Sequence, residues 1–171
     1  MAVWGKLSKC CCFPLAGGCT AAAIFHFIAC LACIFTSEQN YKVWTVVSSG
    51  LLGCLIVLGL ILKNFIIFYI VAIFTAINVC FYVVALVFLI IALFAVTEIS
   101  IQSKVFIIFI IFALLVGEAF FLNLYLSICK VFKAGGTGWE FKNYMEIEND
   151  MQKEKKKKEK EDAMKHNDYN A

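Results

Sequence analysis

Residues 65–96 read FIIFYIVAIFTAINVCFYVVALVFLIIALFAV, 32 positions without a charged side chain. No soluble fold of ordinary size hides such a run. An apolar stretch of about 20 residues is enough to cross a bilayer as a helix. The residues do not alternate in polarity, so a barrel strand is excluded, and the helix is left as the form that satisfies its own backbone in lipid. At about 1.5 Å per residue the run spans ~48 Å, against a hydrocarbon core of about 30 Å. Tilt alone would have to approach ~50°, beyond the usual range of about 0–40°. Part of the run is therefore expected outside the core, around Tyr69 or at its far end.

Three further runs flank it: Leu15 to Thr36, Val43 to Leu62, and Val105 to Cys129. Polar breaks separate the four, at residues 37–42, at Lys63-Asn64, and from Thr97 to Lys104. The expected fold is all-α: an integral membrane four-helix bundle, up-down and antiparallel, with short loops. Its segments are an N-terminal Cys-rich piece (1–14), a membrane domain (15–129, with spans 15–36, 43–62, 65–96 and 105–129) and a charged tail (130–171). Over the whole 171 residues, 63% are hydrophobic and 16% charged, against roughly 45–50% and 25% in ordinary globular chains. Mean hydropathy is +0.88. A soluble enzyme, a secreted disulfide module and a disordered chain are excluded.

Charge sets the orientation. All 15 basic residues are Lys, and the formal net charge is +3. Lys6 and Lys9 precede the first span, Lys63 follows the second, and Lys130 and Lys133 follow the fourth. The other two loops balance one Lys with one Glu: Lys42 with Glu38, and Lys104 with Glu98. The excess of Lys places both termini in the cytoplasm. Without Arg there is no bidentate recognition of phosphate or base edges, which argues against a nucleic-acid partner. No cleaved signal peptide is expected, because the first apolar run is too long for one.

The outer loops, of roughly six and eight residues, are too small for a folded external domain and hold none of the nine Cys. Cys10, Cys11 and Cys12 stand together just before the first span, where cytoplasmic cysteines are candidates for S-palmitoylation. A metal site is disfavoured there, since three adjacent Cys lack zinc-ligand spacing. The chain has no metalloprotease, nucleophile-elbow or phosphate-loop motif, so no catalytic residue, metal or cofactor is assigned and the protein is read as non-enzymatic. The glycine run at 135–138 reads as a flexible exit from the fourth span.

Ionisable groups inside spans are costly and face protein or water. Counted from the cytoplasmic side, His26 and Glu118 each lie ~17 Å deep, and Asn78 and Ser49 roughly 20 Å. These four define an intramembrane polar layer. In an up-down bundle the first and fourth helices are neighbours, so a His26–Glu118 contact is sterically reasonable. That layer is read either as a polar clamp fixing helix order, or as the centre of a small transporter, channel subunit or proton sensor. Small residues near it, Gly18 and Ala22 with His26, Ser49 with Gly53, and Ala113 with Gly117, suit close helix approach.

The tail offers two motifs. Lys155, Lys156, Lys157 and Lys158 are candidates for attraction to anionic lipid, while pairs such as Glu154–Lys158 and Glu161–Lys165 suit a solvated helix. Tyr144-Met145-Glu146-Ile147 fits a tyrosine-based sorting signal, in which an adaptor reads Tyr144 and Ile147 on an extended peptide.

The Cys-rich start at 9–13, the Leu15-Ala16-Gly17-Gly18 entry and the four-span layout together resemble the lysosome-associated four-span membrane proteins and the related insect Pasiflora-like group. The MARVEL-type four-span proteins share the layout. The resemblance covers roughly residues 9–133. Where lysosomal members carry Arg-Thr-Gly, this chain has Leu-Ala-Gly, and their proline-tyrosine motifs are absent. The resemblance implies trafficking, junction or membrane-organising roles at the plasma, endosomal or lysosomal membrane. The expected partners are the lipid bilayer, other membrane proteins or a second copy of the chain, and sorting adaptors.

Overall fold

Each helix boundary follows from a local chemical signal. In the computed structural model, which describes residues 4–36, 39–95 and 100–169, helix α1 runs Leu15–Thr36, directly after Pro14. A proline fits there because the first helical turn leaves its N–H groups unpaired anyway. Helix α2 (Gln39–Leu62) stops where Lys63 takes a left-handed φ of 48° and the Asn64 amide bonds back to Gly59 O at 3.2 Å. Asn64 then caps helix α3 (Phe65–Ala95), accepting from the Ile66 amide at 2.9 Å. Two residues thus reverse the chain.

Helix α4 (Ile101–Lys133) is longer at both ends than the apolar run of 105–129 indicates. Ser100 starts it early by accepting from the Ser103 amide at 3.2 Å. At the other end Gly135 bonds to Phe132 O at 3.1 Å and Gly136 to Val131 O at 2.9 Å, with Gly135 at φ 86°. This double closure is a Schellman motif, and it replaces the expected flexible exit with an ordered stop. Helix α5 (Tyr144–Tyr169) begins with a capping box: Asn143 Oδ1 accepts from Met145 and Glu146, and Glu146 Oε2 accepts from the Asn143 amide at 2.8 Å.

The chain is all-α, 83% helical, with one two-stranded hairpin formed by β1 (Lys9–Cys10) and β2 (Phe13–Pro14). Among the described residues, three helices are long and apolar enough to cross a membrane, over Leu15–Phe35, Phe65–Leu93 and Ile101–Lys133. The described apolar stretch of α2, Val46–Leu62, is shorter. Glu38 and Glu98, expected to balance the outer-loop lysines, lie outside the described residues.

Helix α1 packs along α2, and α3 along α4; the two pairs meet over a shorter stretch through α2 with α3 and α1 with α4. The core gathers at one end of this arrangement, called here the terminal end, where the N-terminal segment, the α2–α3 turn and the close of α4 come together. Leu15, Ala16, Cys19 and Ala22 of α1 face Ile56 of α2, Phe68 and Val71 of α3, and Leu124, Tyr125 and Ile128 of α4. All the buried residues of α4 fall between Leu124 and Phe132. Toward the other end the helices keep large apolar side chains exposed, among them Phe35, Phe81, Phe88 and Phe109.

Candidate functional site

The terminal end carries most of the polar chemistry of the fold. Asn123, Ser127 and Lys130 lie four and three residues apart, hence on one face of α4. Asn123 Oδ1 accepts from the Gly5 amide at 2.6 Å, Ser127 Oγ accepts from the Leu7 amide at 3.2 Å, and Lys130 Nζ donates to Trp4 O at 2.9 Å. The Ser127 hydroxyl donates in turn to Asn123 O at 2.7 Å. Backbone groups packed among apolar helices need such partners, because leaving one unpaired costs several kcal/mol by order of magnitude (~2–7). The N-terminal segment is therefore clamped onto α4 and does not hang free. The signal was present in the sequence, as a polar stripe at helical spacing inside an apolar span.

That segment continues into the hairpin. Cys11 and Cys12 form its two-residue tip, exposed, with Cys11 in a left-handed conformation at φ 52°. Cys10 turns inward, onto Gly18. A Cβ at Gly18 would come within 2.5 Å of Cys10 Cβ and 3.3 Å of Leu124, so the glycine makes room for hairpin and helix together. Burial, reinforced by Cys11, pushes the Cys10 thiol up, which disfavours its thiolate. The three adjacent cysteines are thus not equivalent. Among the described residues no group of His, Cys, Asp or Glu is placed to hold a metal ion.

The polar layer divides. His26 is buried, and its Nε2 lies 3.4 Å from the Tyr125 hydroxyl. Phe25 and Phe121 flank the imidazole with ring centroids 6.2 Å away. Glu118 is half-buried two turns further along α4, within electrostatic range of Tyr82 and Tyr125. No hydrogen bond or ion pair joins it to His26. The neighbour expected from the sequence is thus replaced by Tyr125, because α4 meets α1 where its own tyrosine, not its glutamate, faces inward. Asn78 and Ser49 are half-buried on α3 and α2 and bond neither to each other nor to His26 or Glu118. Of the small-residue pairs, Gly53 sits against the Phe27 ring, whereas a Cβ at Gly117 would meet nothing within 4 Å.

Past α4 the chain folds back on the terminal end. Glu140 takes the Thr137 amide at 3.0 Å and the Thr137 hydroxyl at 2.8 Å, closing a turn that sends Gly138 O to the Ala16 amide at 2.8 Å. Burial works to raise the Glu140 carboxyl, but hydrogen bonds from its own amide, Thr137 and Gly138 outweigh it and hold the group below the usual range. Tyr144 lies under Lys130, with the ammonium 5.3 Å from the ring centroid. Ile147 is buried, and a Cβ at Gly136 would strike its Cδ1 at 2.7 Å. Both members of the expected sorting signal thus sit in the first turn of a docked helix, not on an extended peptide. The reason is the capping box of Asn143 and Glu146, whose helix-starting geometry overrides the flexibility inferred from the glycines. Lys155, Lys156, Lys157 and Lys158 are exposed and, being consecutive, spread around α5. The expected Glu154–Lys158 pair is not formed; the ion pair among the described residues joins Lys142 to Asp150 at 2.8 Å. The Lys165 side chain, expected to pair with Glu161, lies outside the described residues.

Fold and site together define a class: an all-α protein with helices long and apolar enough to cross a membrane, whose described polar groups cluster at the end that holds the N-terminal segment and the start of the tail. Comparison with family models, with curated proteins and with solved structures finds no match.

Proposed function

We propose that the chain is a non-enzymatic four-span membrane protein that organises membrane or protein assemblies, in trafficking or at cell junctions, through lateral helix contacts and its tail. In this reading α2 is the fourth span: its 24 residues reach ~36 Å at helical rise, enough for the core. Both termini lie on the cytoplasmic side with Lys6, Lys9, Lys63, Lys130 and Lys133. The observation that carries the reading is how little of the outer helices is used within the chain. Of the most apolar window, 6% is buried in α3 and 0% in α4. Such surface is available to lipid and to other helices along most of its length. The exposed Cys11–Cys12 tip supports S-acylation beside the membrane, and the resemblance to the lysosome-associated and Pasiflora-like four-span proteins points the same way. The transport alternative draws on a joint His26–Glu118 centre, and the pairing of His26 with Tyr125 weighs against it.

Localisation in native cells tests the proposal, with Glu118→Gln beside the wild type. Endosomal, lysosomal or lateral-junction signal, with Glu118→Gln altering neither location nor any pH-dependent ion flux, is the expected outcome. A flux present in wild type and abolished in a folded Glu118→Gln variant refutes it.

A further inference from the structure

We infer that the cleft between the end of α4 and the first three turns of α5 binds the phosphate-bearing headgroup of an anionic phospholipid. The cleft encloses about 540 Å³ and is lined chiefly by Lys130, Lys133, Tyr144, Met151, Gln152 and Lys155. Three lysines line it, against one carboxylate, Glu148. Tyr144, Glu148, Met151 and Lys155 follow one another at four, three and four residues, so one face of α5 lines the cleft.

Two of these lysines, Lys133 and Lys155, are not accounted for by the fold. Basic residues in the last turn of a helix commonly cap its open carbonyls. Here the carbonyls of Lys130, Val131 and Phe132 are already taken by the amides of Ala134, Gly136 and Gly135. Among the described residues, neither Lys133 nor Lys155 is held in an ion pair. Lys130 is held in place by Trp4 O and the Tyr144 ring, which leaves its ammonium oriented with donors to spare. Charges fixed before the ligand arrives cost less to order on binding.

Position selects the ligand. Lys130 and Lys133 close a helix long and apolar enough to cross a membrane, so the cleft opens at headgroup level. Trp4 and Trp139, both exposed at this same end, have the amphipathic character of interfacial anchors. Met151 and Ala134 add an apolar wall that suits the glycerol and upper acyl segment better than a free ion. Basic pockets beside spans on the cytoplasmic side are a recurrent way of holding multiply charged headgroups. The inference needs α4 to end at a bilayer surface, and nothing else of the role proposed above.

The test uses full-length protein in detergent micelles, titrated with dioctanoyl phosphatidylinositol bisphosphate, dioctanoyl phosphatidylserine and soluble inositol trisphosphate, and read by native mass spectrometry. One bound phosphatidylinositol bisphosphate is expected. Lys133→Gln and Lys155→Gln should each weaken it about fivefold, and the double variant about 25-fold. Lys156→Gln with Lys157→Gln, on other faces of α5, should leave it within about twofold of wild type. Both altered lysines are exposed, and unchanged helix content by circular dichroism confirms that the variants fold. Wild-type affinity in the Lys133/Lys155 double variant overturns the inference. Equal weakening by Lys156 and Lys157 overturns it in favour of diffuse attraction to the tail. Equal affinity for inositol trisphosphate overturns it in favour of a free-phosphate site, and equal affinity for phosphatidylserine removes the preference for a multiply charged headgroup.

Discussion

Replacing Ile147 by Ala should release the tail helix from the bundle while leaving the bundle itself intact. Ile147 is 8% exposed and is the buried side chain through which α5 docks; its described neighbours along α5 are half-buried or exposed. Removing three carbons at about 0.8 kcal/mol each costs ~2.4 kcal/mol. Little of that is recovered by collapse, because the other wall is the Schellman turn, whose Gly135 and Gly136 amides are fixed by Phe132 and Val131. The contact of Lys130 with the Tyr144 ring adds about 0.5–1 kcal/mol at an exposed site, and Met151 lies against Gly135; neither is altered by the substitution. The docked population should therefore fall relative to the undocked one by about fiftyfold. Hydrogen exchange of full-length protein in micelles, followed over residues 134–155, reads this directly. The Gly135, Gly136 and Ile147 amides should exchange up to about fiftyfold faster, and those of α1 and α3 should not change. Ile147→Val, which removes one carbon, should give about a fourfold change. Exchange within about twofold of wild type in Ile147→Ala, or equal effects of Val and Ala, would refute the claim that burial of this side chain docks the helix.

Gly138→Ala should destabilise the fold in a thermal melt by ~2 kcal/mol or more, since φ is 76° and the new Cβ meets Ile128; Gly117→Ala, with open space around it, should cost nothing or add up to ~1 kcal/mol. The Glu140 carboxyl titrates lower in the folded chain than its ordinary value of 4.5, so its contribution is present above about that pH and is lost as pH falls through the lower folded value. Protection of the Thr137 amide should decline over that acid window, and Glu140→Gln should remove the pH dependence. Acyl-exchange mass tagging of protein from native membranes should show up to two S-acyl groups, lost in the Cys11→Ser/Cys12→Ser variant and kept in Cys10→Ser. Each thiol would take its acyl group from an acyl thioester whose coenzyme thiol leaves with the proton. Retention of both tags in the double serine variant would sink that assignment.

The helices were legible because their signals are long or chemically sharp. The runs starting at Leu15 and Phe65 give the first residues of α1 and α3, and the Lys63-Asn64 break gives the reversal between α2 and α3. Helix α4 extends beyond its apolar run for a plain reason. Hydropathy marks the apolar stretch, whereas the helix is bounded by its caps, Ser100 before it and Gly135 after it. The exit from α4 differs from its expectation in a similar way: glycines at 135–138 suggest looseness, but two of them adopt positive φ inside fixed turns, and Asn143 with Glu146 starts the next helix. The candidate site was less legible. Depth counting along each span puts His26 and Glu118 in one layer, but it cannot say which residue of α4 turns toward α1. Two turns separate Glu118 from Tyr125, and the buried residues of α4 begin only at Leu124.

That asymmetry bears on what the molecule can do. A bundle packed evenly along its length would hold its helices in one arrangement and leave lipid-facing surface as mere solvent exclusion. Here the terminal end is fixed by three kinds of link at once: apolar packing around Phe68, Tyr125 and Ile128, hydrogen bonds that Asn123 and Ser127 accept from the N-terminal segment and Lys130 donates to it, and the docked first turn of α5. Among the described residues, the buried side chains of α4 all lie between Leu124 and Phe132, at the terminal end. In lipid no hydrophobic force drives apolar helices together; association depends on packing and polar contacts. Under the role proposed above, the far end of α4, which has no buried residue before Leu124, would exchange lipid for another helix at smaller cost than the terminal end. Glu118 and Asn78 stand where packing thins, half-buried and away from His26. A partner helix that supplied a hydrogen bond there would gain more than one confined to apolar contact, because a polar group facing hydrocarbon has no competing partner in lipid.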